Sequence, residues 1–81
     1  MPTIMVHKRY RLFFFSNEGS PRERVHVHAR RGAAIAKFWV EPEVALLSSY
    51  QMSASELREL EAVIRENADF IREKWNEHFG Q

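Results

Sequence analysis

The chain has 81 residues, no cysteine, 44% apolar side chains and a formal net charge of +1. A chain this short fits one domain with a modest core, since it buries only about 60% of the surface its unfolded form exposes, and without cysteine it has neither a disulfide framework nor a thiolate metal site. No apolar run approaches the ~20 residues of a membrane span, and Met1-Pro2-Thr3-Ile4 lacks the basic-then-apolar pattern of a secretion signal, so a cytoplasmic protein without membrane contact is expected.

In chain order, Thr3–Val6 and Tyr10–Phe15 are short and rich in β-branched or aromatic residues, and the polar His7-Lys8-Arg9 between them reads as a hairpin turn. Ser16-Asn17-Glu18-Gly19-Ser20-Pro21 collects turn-forming residues and reads as a loop. From Arg24 to Arg30 the chain alternates strictly, with Val25, Val27 and Ala29 on one face and Arg24, His26, His28 and Arg30 on the other, the period of a half-buried strand. Gly32 breaks this run. Ala34–Val40 is a fourth strand, with Ala34, Ala36, Phe38 and Val40 opposite Ile35, Lys37 and Trp39, and Pro42 ends it. Val44–Tyr50 is apolar but short, which leaves a helical turn and a covering loop both open.

Ser53-Ala54-Ser55-Glu56 matches a capping box, in which the serine hydroxyl and the glutamate satisfy each other's backbone N–H groups at a helix start. One long helix from about Ser53 to His78, ended by Gly80, follows from the spacing of Leu57, Leu60, Ile64, Ala68, Ile71, Trp75 and Phe79, with Asn67 as a place for a bend. Glu61 and Arg65 form an i,i+4 pair on its outer side. The expected fold is α+β: a mainly antiparallel four-stranded sheet whose Val25, Val27, Ala29 and Phe38 face is covered by the C-terminal helix. The chain then reads as a single domain over residues 1–81, with a basic β-rich half at 1–40 and an amphipathic helix at 53–79. The other sheet face is basic and histidine-bearing, with Ile35 and Trp39 among its residues.

The small net charge conceals a division. Residues 1–40 carry eight Lys and Arg against Glu18 and Glu23, a net of +6, and residues 41–81 carry four against nine carboxylates, a net of −5. Such a split marks either a phosphate-binding face or two halves that neutralise each other on folding. No phosphate loop, dinucleotide fingerprint, internal repeat or paired-cysteine motif is present, so the common motif-based enzyme classes have no support.

His26 and His28 carry the most chemistry. Two residues apart on one strand face, they stand roughly 6.5–7 Å apart, a spacing that lets both ligate one metal. A third ligand would come from Glu18, Glu23, Glu41, Glu43 or His7, none at diagnostic spacing. Flanked by Arg24 and Arg30, the same pair suits acid/base work on a phosphodiester, with Glu18 assisting. The plainest reading makes them partly exposed sheet residues, cross-strand neighbours of Trp39 or Tyr10, with no reaction to perform. His78 complements the helix dipole at the C-terminus. Trp39 and Trp75 read as packing residues, although Trp39 beside Lys37 and Arg30 suits single-stranded nucleic acid.

Thr3-Ile4, Tyr10-Arg11-Leu12-Phe13-Phe14, Ser16-Asn17-Glu18-Gly19, His26-Val27-His28, Ala36-Lys37-Phe38-Trp39 with Pro42, Glu66-Asn67 and Trp75-Asn76 together resemble the small bacterial family called domain of unknown function 4160. The resemblance implies no established activity. It implies a two-gene, toxin–antitoxin-like arrangement with a cognate small protein, and it singles out Glu18, His26, His28, Lys37 and Trp39 as positions matching the family's polar and aromatic pattern. Where the family usually places proline before the first histidine this chain has Val25, and the loop Pro21-Arg22-Glu23-Arg24 also departs from the pattern. The resulting expectation is an interaction or nucleic-acid-binding protein using Arg24, Arg30, Lys37 and Trp39, with a cognate protein, a second copy or nucleic acid as partner. No cofactor is expected unless a metal sits at His26 and His28. The alternative is a phosphodiester hydrolase or metal-dependent enzyme built on those two histidines.

Overall fold

The computed structural model describes residues 3–15 and 24–80. Its elements are β1 (Thr3–His7), β2 (Tyr10–Phe13), β3 (His26–Arg31), β4 (Ala34–Trp39), β5 (Ala45–Tyr50), α1 (Ala54–Glu66) and α2 (Ala68–Phe79). The strands form one antiparallel sheet in the order β1-β2-β3-β4-β5, so neighbours in sequence are neighbours in space. Two of these pairings follow from connection length, because a two-residue turn can join only antiparallel strands. Lys8-Arg9 joins β1 to β2 and Gly32-Ala33 joins β3 to β4, with left-handed backbone at Lys8 (φ 54°) and Gly32 (φ 60°). Glycine adopts that conformation without steric cost. Lys8 has a side chain to place there, and its Nζ is tied to Glu59 Oε2 at 2.7 Å.

One sheet face carries the core. Tyr10, Leu12 and Phe14, then Val25, Val27 and Ala29, then Ala36, Phe38 and Val40 pack against Leu60 and Ile64 of α1 and Ile71 and Trp75 of α2. These four helical residues are the buried centre of the apolar stripe expected from the spacing, and Leu57, Ala68 and Phe79 flank it partly buried. The helix layer therefore covers the face of Val25, Val27, Ala29 and Phe38, as the alternation requires.

Two details depart from the four-strand, one-helix expectation. Val44–Tyr50 supplies a fifth strand, pairing Ile35 with Tyr50, Ala36 with Ser49 and Lys37 with Ser48 before a register shift sets Phe38 against Leu46. All six β5 residues are exposed, so burial imposes no alternation on them and the strand has no period to read. The long helix is divided at Asn67, whose backbone (φ −112°, ψ 17°) leaves the helical region. Its side-chain Nδ2 donates to Val63 O at 2.8 Å, the local competition with helical bonding that makes asparagine a poor interior residue. The Asn67 carbonyl still accepts from Ile71 N–H at 2.9 Å, so α2 starts where α1 stops.

The capping box forms as its spacing predicts: Glu56 N–H donates to Ser53 Oγ at 3.1 Å, and Ser53 N–H donates to Glu56 Oε1 at 2.9 Å. The second carboxylate oxygen of Glu56 reaches the sheet, accepting from Tyr10 Oη at 2.6 Å and from Arg31 Nη2 at 2.7 Å. One side chain thus caps α1 and ties it to β2 and β3.

Candidate functional site

The helix-free face of the sheet holds the residues that the sequence marks for chemistry. Strand alternation and register place Arg11, Phe13, His26, His28, Arg30, Ile35, Lys37, Trp39, Ser48 and Tyr50 on it. No carboxylate stands among these positions. In the helix layer several charges are paired: Arg65 with Glu61, Arg72 with Asp69 and with Glu41 of the β4–β5 connection, and Lys74 with Glu77. Of the basic residues in the first half of the chain, Lys8 and Arg31 pair with Glu59 and Glu56 of α1. Arg9, Arg11, Arg24, Arg30 and Lys37 have no carboxylate partner among the described residues. Neutralisation between the two halves is therefore partial, and the cations it leaves over gather on one side of the sheet.

The histidines stand on adjacent positions of that side, as the alternation predicts, but both are buried: His26 is 0% and His28 6% exposed. The expectation of partly exposed rings is corrected by the register. Phe13 lies directly across from His28, and its ring stacks on the imidazole with centroids 5.4 Å apart and planes at 22°. Phe15 meets the same imidazole edge-on at 4.5 Å. His26 lies across from Trp39, at 5.6 Å, and its ring also lies 5.1 Å from that of Trp75. Tyr10, the other expected neighbour, faces the helices and is bound to Glu56. Aromatic residues of the neighbouring strands, Phe15 just beyond β2 and, at the His26 end, Trp75 of α2 thus surround two imidazoles that a polar strand face would leave in water.

His26 Nδ1 lies 2.8 Å from the Arg24 carbonyl. A carbonyl only accepts, so Nδ1 carries the proton and the ring orientation is set by its own strand. The two imidazoles are 5.7 Å apart and nearly perpendicular. Of the residues considered as a third ligand, His7 Nε2 is engaged with Glu59 at 2.8 Å, and Glu41 pairs with Arg72 at 3.5 Å. Glu18 and Glu23 lie outside the described residues. Among the described residues no group of three or more histidine and acidic side chains gathers where one ion would touch them all.

Cations and aromatics alternate over the rest of the face. The Arg24 guanidinium sits 4.0 Å from the centroid of the Trp39 ring, a cation–π stack that holds both side chains at the surface. Phe15, His28, Ile35, Lys37, Ser48 and Tyr50 line a depression of about 240 Å³. A second basin of about 490 Å³ is lined by Val6, Arg9, Arg11, Arg30 and Gly32. Lys37 and Trp39 are half-buried, and Arg11, Arg24 and Arg30 are exposed.

Arg24, Arg30, Lys37 and Trp39 therefore share one face with the histidine pair. Sequence reasoning passed over Arg9, Arg11, Phe13, Phe15 and Tyr50. The alternation of Arg11 with Phe13 was a usable signal. Its alignment opposite Arg30 and His28 was not, because it depends on a register set across the 16–23 segment.

No curated protein and no solved structure matches the chain. A family model described as a domain of unknown function matches residues 10–76, which runs from β2 through most of α2 and takes in every residue of the site except Val6 and Arg9. The chain belongs to the DUF4160 family.

Proposed function

We propose that this protein is an interaction module of a toxin–antitoxin-like gene pair and that its helix-free sheet face binds nucleic acid. One observation carries the reading: Arg11, Arg24, Arg30 and Lys37 stand on a single face, interleaved with Trp39, Phe15 and Tyr50, with no carboxylate among the described residues of that face. Cations that follow a phosphate backbone, beside aromatic surfaces on which bases stack, are the two components of single-strand binding. For single strands log K falls against log salt by about 0.7 per phosphate neutralised, so four such contacts give a slope of about −3. Fluorescence anisotropy with single-stranded RNA and DNA measures it. Arg24→Gln and Arg30→Gln are each expected to reduce the slope by about 0.7, and absence of binding at low salt rejects the nucleic-acid reading.

The same incubation separates binding from hydrolysis. His28 lines the 240 Å³ depression beside Lys37, the one position from which an imidazole of this pair meets a ligand on the face. Recovery of intact oligonucleotide supports a binding protein, whereas cleavage that His28→Ala abolishes supports the hydrolase. A cognate protein partner is the second reading, and β5 favours it: this edge strand is uncharged from Ala45 to Tyr50 and exposes Leu46, Leu47 and Tyr50. Such an edge is a template for strand addition.

A further inference from the structure

The register that buries the histidines creates a second feature at the turn end of the same strands. A row of side chains crosses the sheet through Val6, Arg11, Arg30, Ile35 and Tyr50, one from each strand. Two guanidiniums therefore stand directly opposite each other on β2 and β3, with Cβ atoms roughly 4.5–5.5 Å apart, where like charges repel. Neither pairs with a carboxylate among the described residues. Arg9 adds a third guanidinium from the β1–β2 turn, and the three line the basin of about 490 Å³ with Gly32 at its rim. The Arg11 guanidinium lies 5.9 Å from the Phe13 ring, which limits the directions it can take.

We propose that this basin is a phosphate-binding site in which Arg9, Arg11 and Arg30 together hold one phosphoryl group. Guanidinium is suited to the task because its planar fork donates two parallel hydrogen bonds to the oxygens of one phosphate. A bound dianion converts the Arg11–Arg30 repulsion into two attractions, so the site gains from both changes. It is separate from the Trp39–Arg24 stack, because Arg24 and Arg30 are six residues apart, about 20 Å along an extended chain. The site deepens the nucleic-acid reading by naming the group held, but phosphate esters of small molecules present the same chemistry.

Inorganic phosphate titrated into the 81-residue chain, with sodium chloride of matched ionic strength as reference, tests the proposal by amide chemical shifts and by thermal denaturation. Saturable shifts confined to Arg9, Arg11, Arg30 and Gly32 are expected, with a phosphate-dependent rise in Tm that chloride does not reproduce. Arg30→Gln and Arg11→Gln each weaken phosphate binding by roughly tenfold, the loss of one charge-assisted pair, while Arg58→Gln on the exposed side of α1 leaves it unchanged. Arg30→Lys keeps the charge without the fork and falls between, which covers the case in which a glutamine variant fails to fold. Shifts that track ionic strength alone, or retention of wild-type affinity by Arg11→Gln and Arg30→Gln, overturn the proposal. Competition with an oligonucleotide identifies the source: displacement of phosphate assigns the site to a strand's backbone, and simultaneous binding assigns it to a small phosphorylated molecule. These outcomes do not depend on whether Arg24 and Trp39 bind bases, so the site and the nucleic-acid reading fail separately.

Discussion

Glu56 does three jobs with two oxygens, and its acidity records all of them. The Ser53 backbone N–H, then the Tyr10 hydroxyl, then the Arg31 guanidinium favour its charged form and hold its pKa at about 2, below the ordinary 4.5. A carboxylate whose pKa is lower in the folded state contributes stability above its unfolded value and loses it as pH falls through the folded one. Between about pH 4.5 and 2 the unfolded chain binds a proton at this position that the folded chain refuses, so stability rises with pH across that window. Urea unfolding of wild type and Glu56→Gln at intervals across it checks this. The variant is expected to be less stable at neutral pH and to show a flatter dependence below pH 4.5; two parallel curves would refute the assignment. Glu59 is lowered in the same direction by Lys8 and then His7, and it remains in both proteins as a shallower background. The capping role of Glu56 was legible in Ser53-Ala54-Ser55-Glu56, because a cap needs only local spacing. Its bonds to Tyr10 and Arg31 were not legible, because they join residues 46 and 25 positions apart through a sheet whose register no local pattern states. The histidine pair divides in the same way: alternation gave the shared face, and burial against Phe13, Phe15, Trp39 and Trp75 came from elements distant in sequence.

At the scale of elements, β5 differs most from the rest of the sheet. Inner strands β3 and β4 read directly from the sequence because the core buries one side of each, whereas β5 is exposed along its whole length and is an edge strand among the described residues. Natural edge strands carry charge, proline or a bulge that discourages pairing. β5 has a register shift opposite Lys37 and Phe38, near Leu47, and no charged residue from Ala45 to Tyr50. The opposite edge ends differently, with His7 and Lys8 both held by Glu59. If a cognate protein adds a strand, β5 is the edge it uses, and a single lysine should block it at little cost to the fold. Leu47 is 42% exposed, so Leu47→Lys is expected to change stability by no more than about 0.5 kcal/mol. Co-expression with the product of the adjacent gene, followed by affinity capture, should recover the partner with wild type and lose it with Leu47→Lys. Equal recovery by the two would remove β5 from the interface. The bend at Asn67 is the complementary case, an element boundary whose residue the sequence offers but whose geometry depends on the side chain turning back to Val63.

For the whole molecule, the separation of charge matters more than its sum. A net charge of +1 and a sequence pI near 8.2 describe a protein with little average attraction for a polyanion. The fold removes the average: Glu56, Glu59, Glu61, Asp69 and Glu77 of α1 and α2 pair with bases of the helices or with Lys8 and Arg31, and the helix-free face keeps Arg11, Arg24, Arg30 and Lys37. At ~0.1 M salt charges interact over only about 10 Å, so a polyanionic surface that meets this face responds to it and not to the helix layer behind. Retention on a heparin column at pH 8.2, where the mean charge is close to zero, measures that difference. Wild type is expected to be retained and to elute with salt, and Arg11→Gln/Arg30→Gln to elute distinctly earlier. Arg58→Gln/Lys74→Gln removes the same two charges from α1 and α2 and should elute close to wild type. If the two double variants elute together, net charge governs the interaction and the basic face has no separate role. If they divide as expected, the imbalance of +6 against −5 along the chain is a binding surface that folding has only partly neutralised.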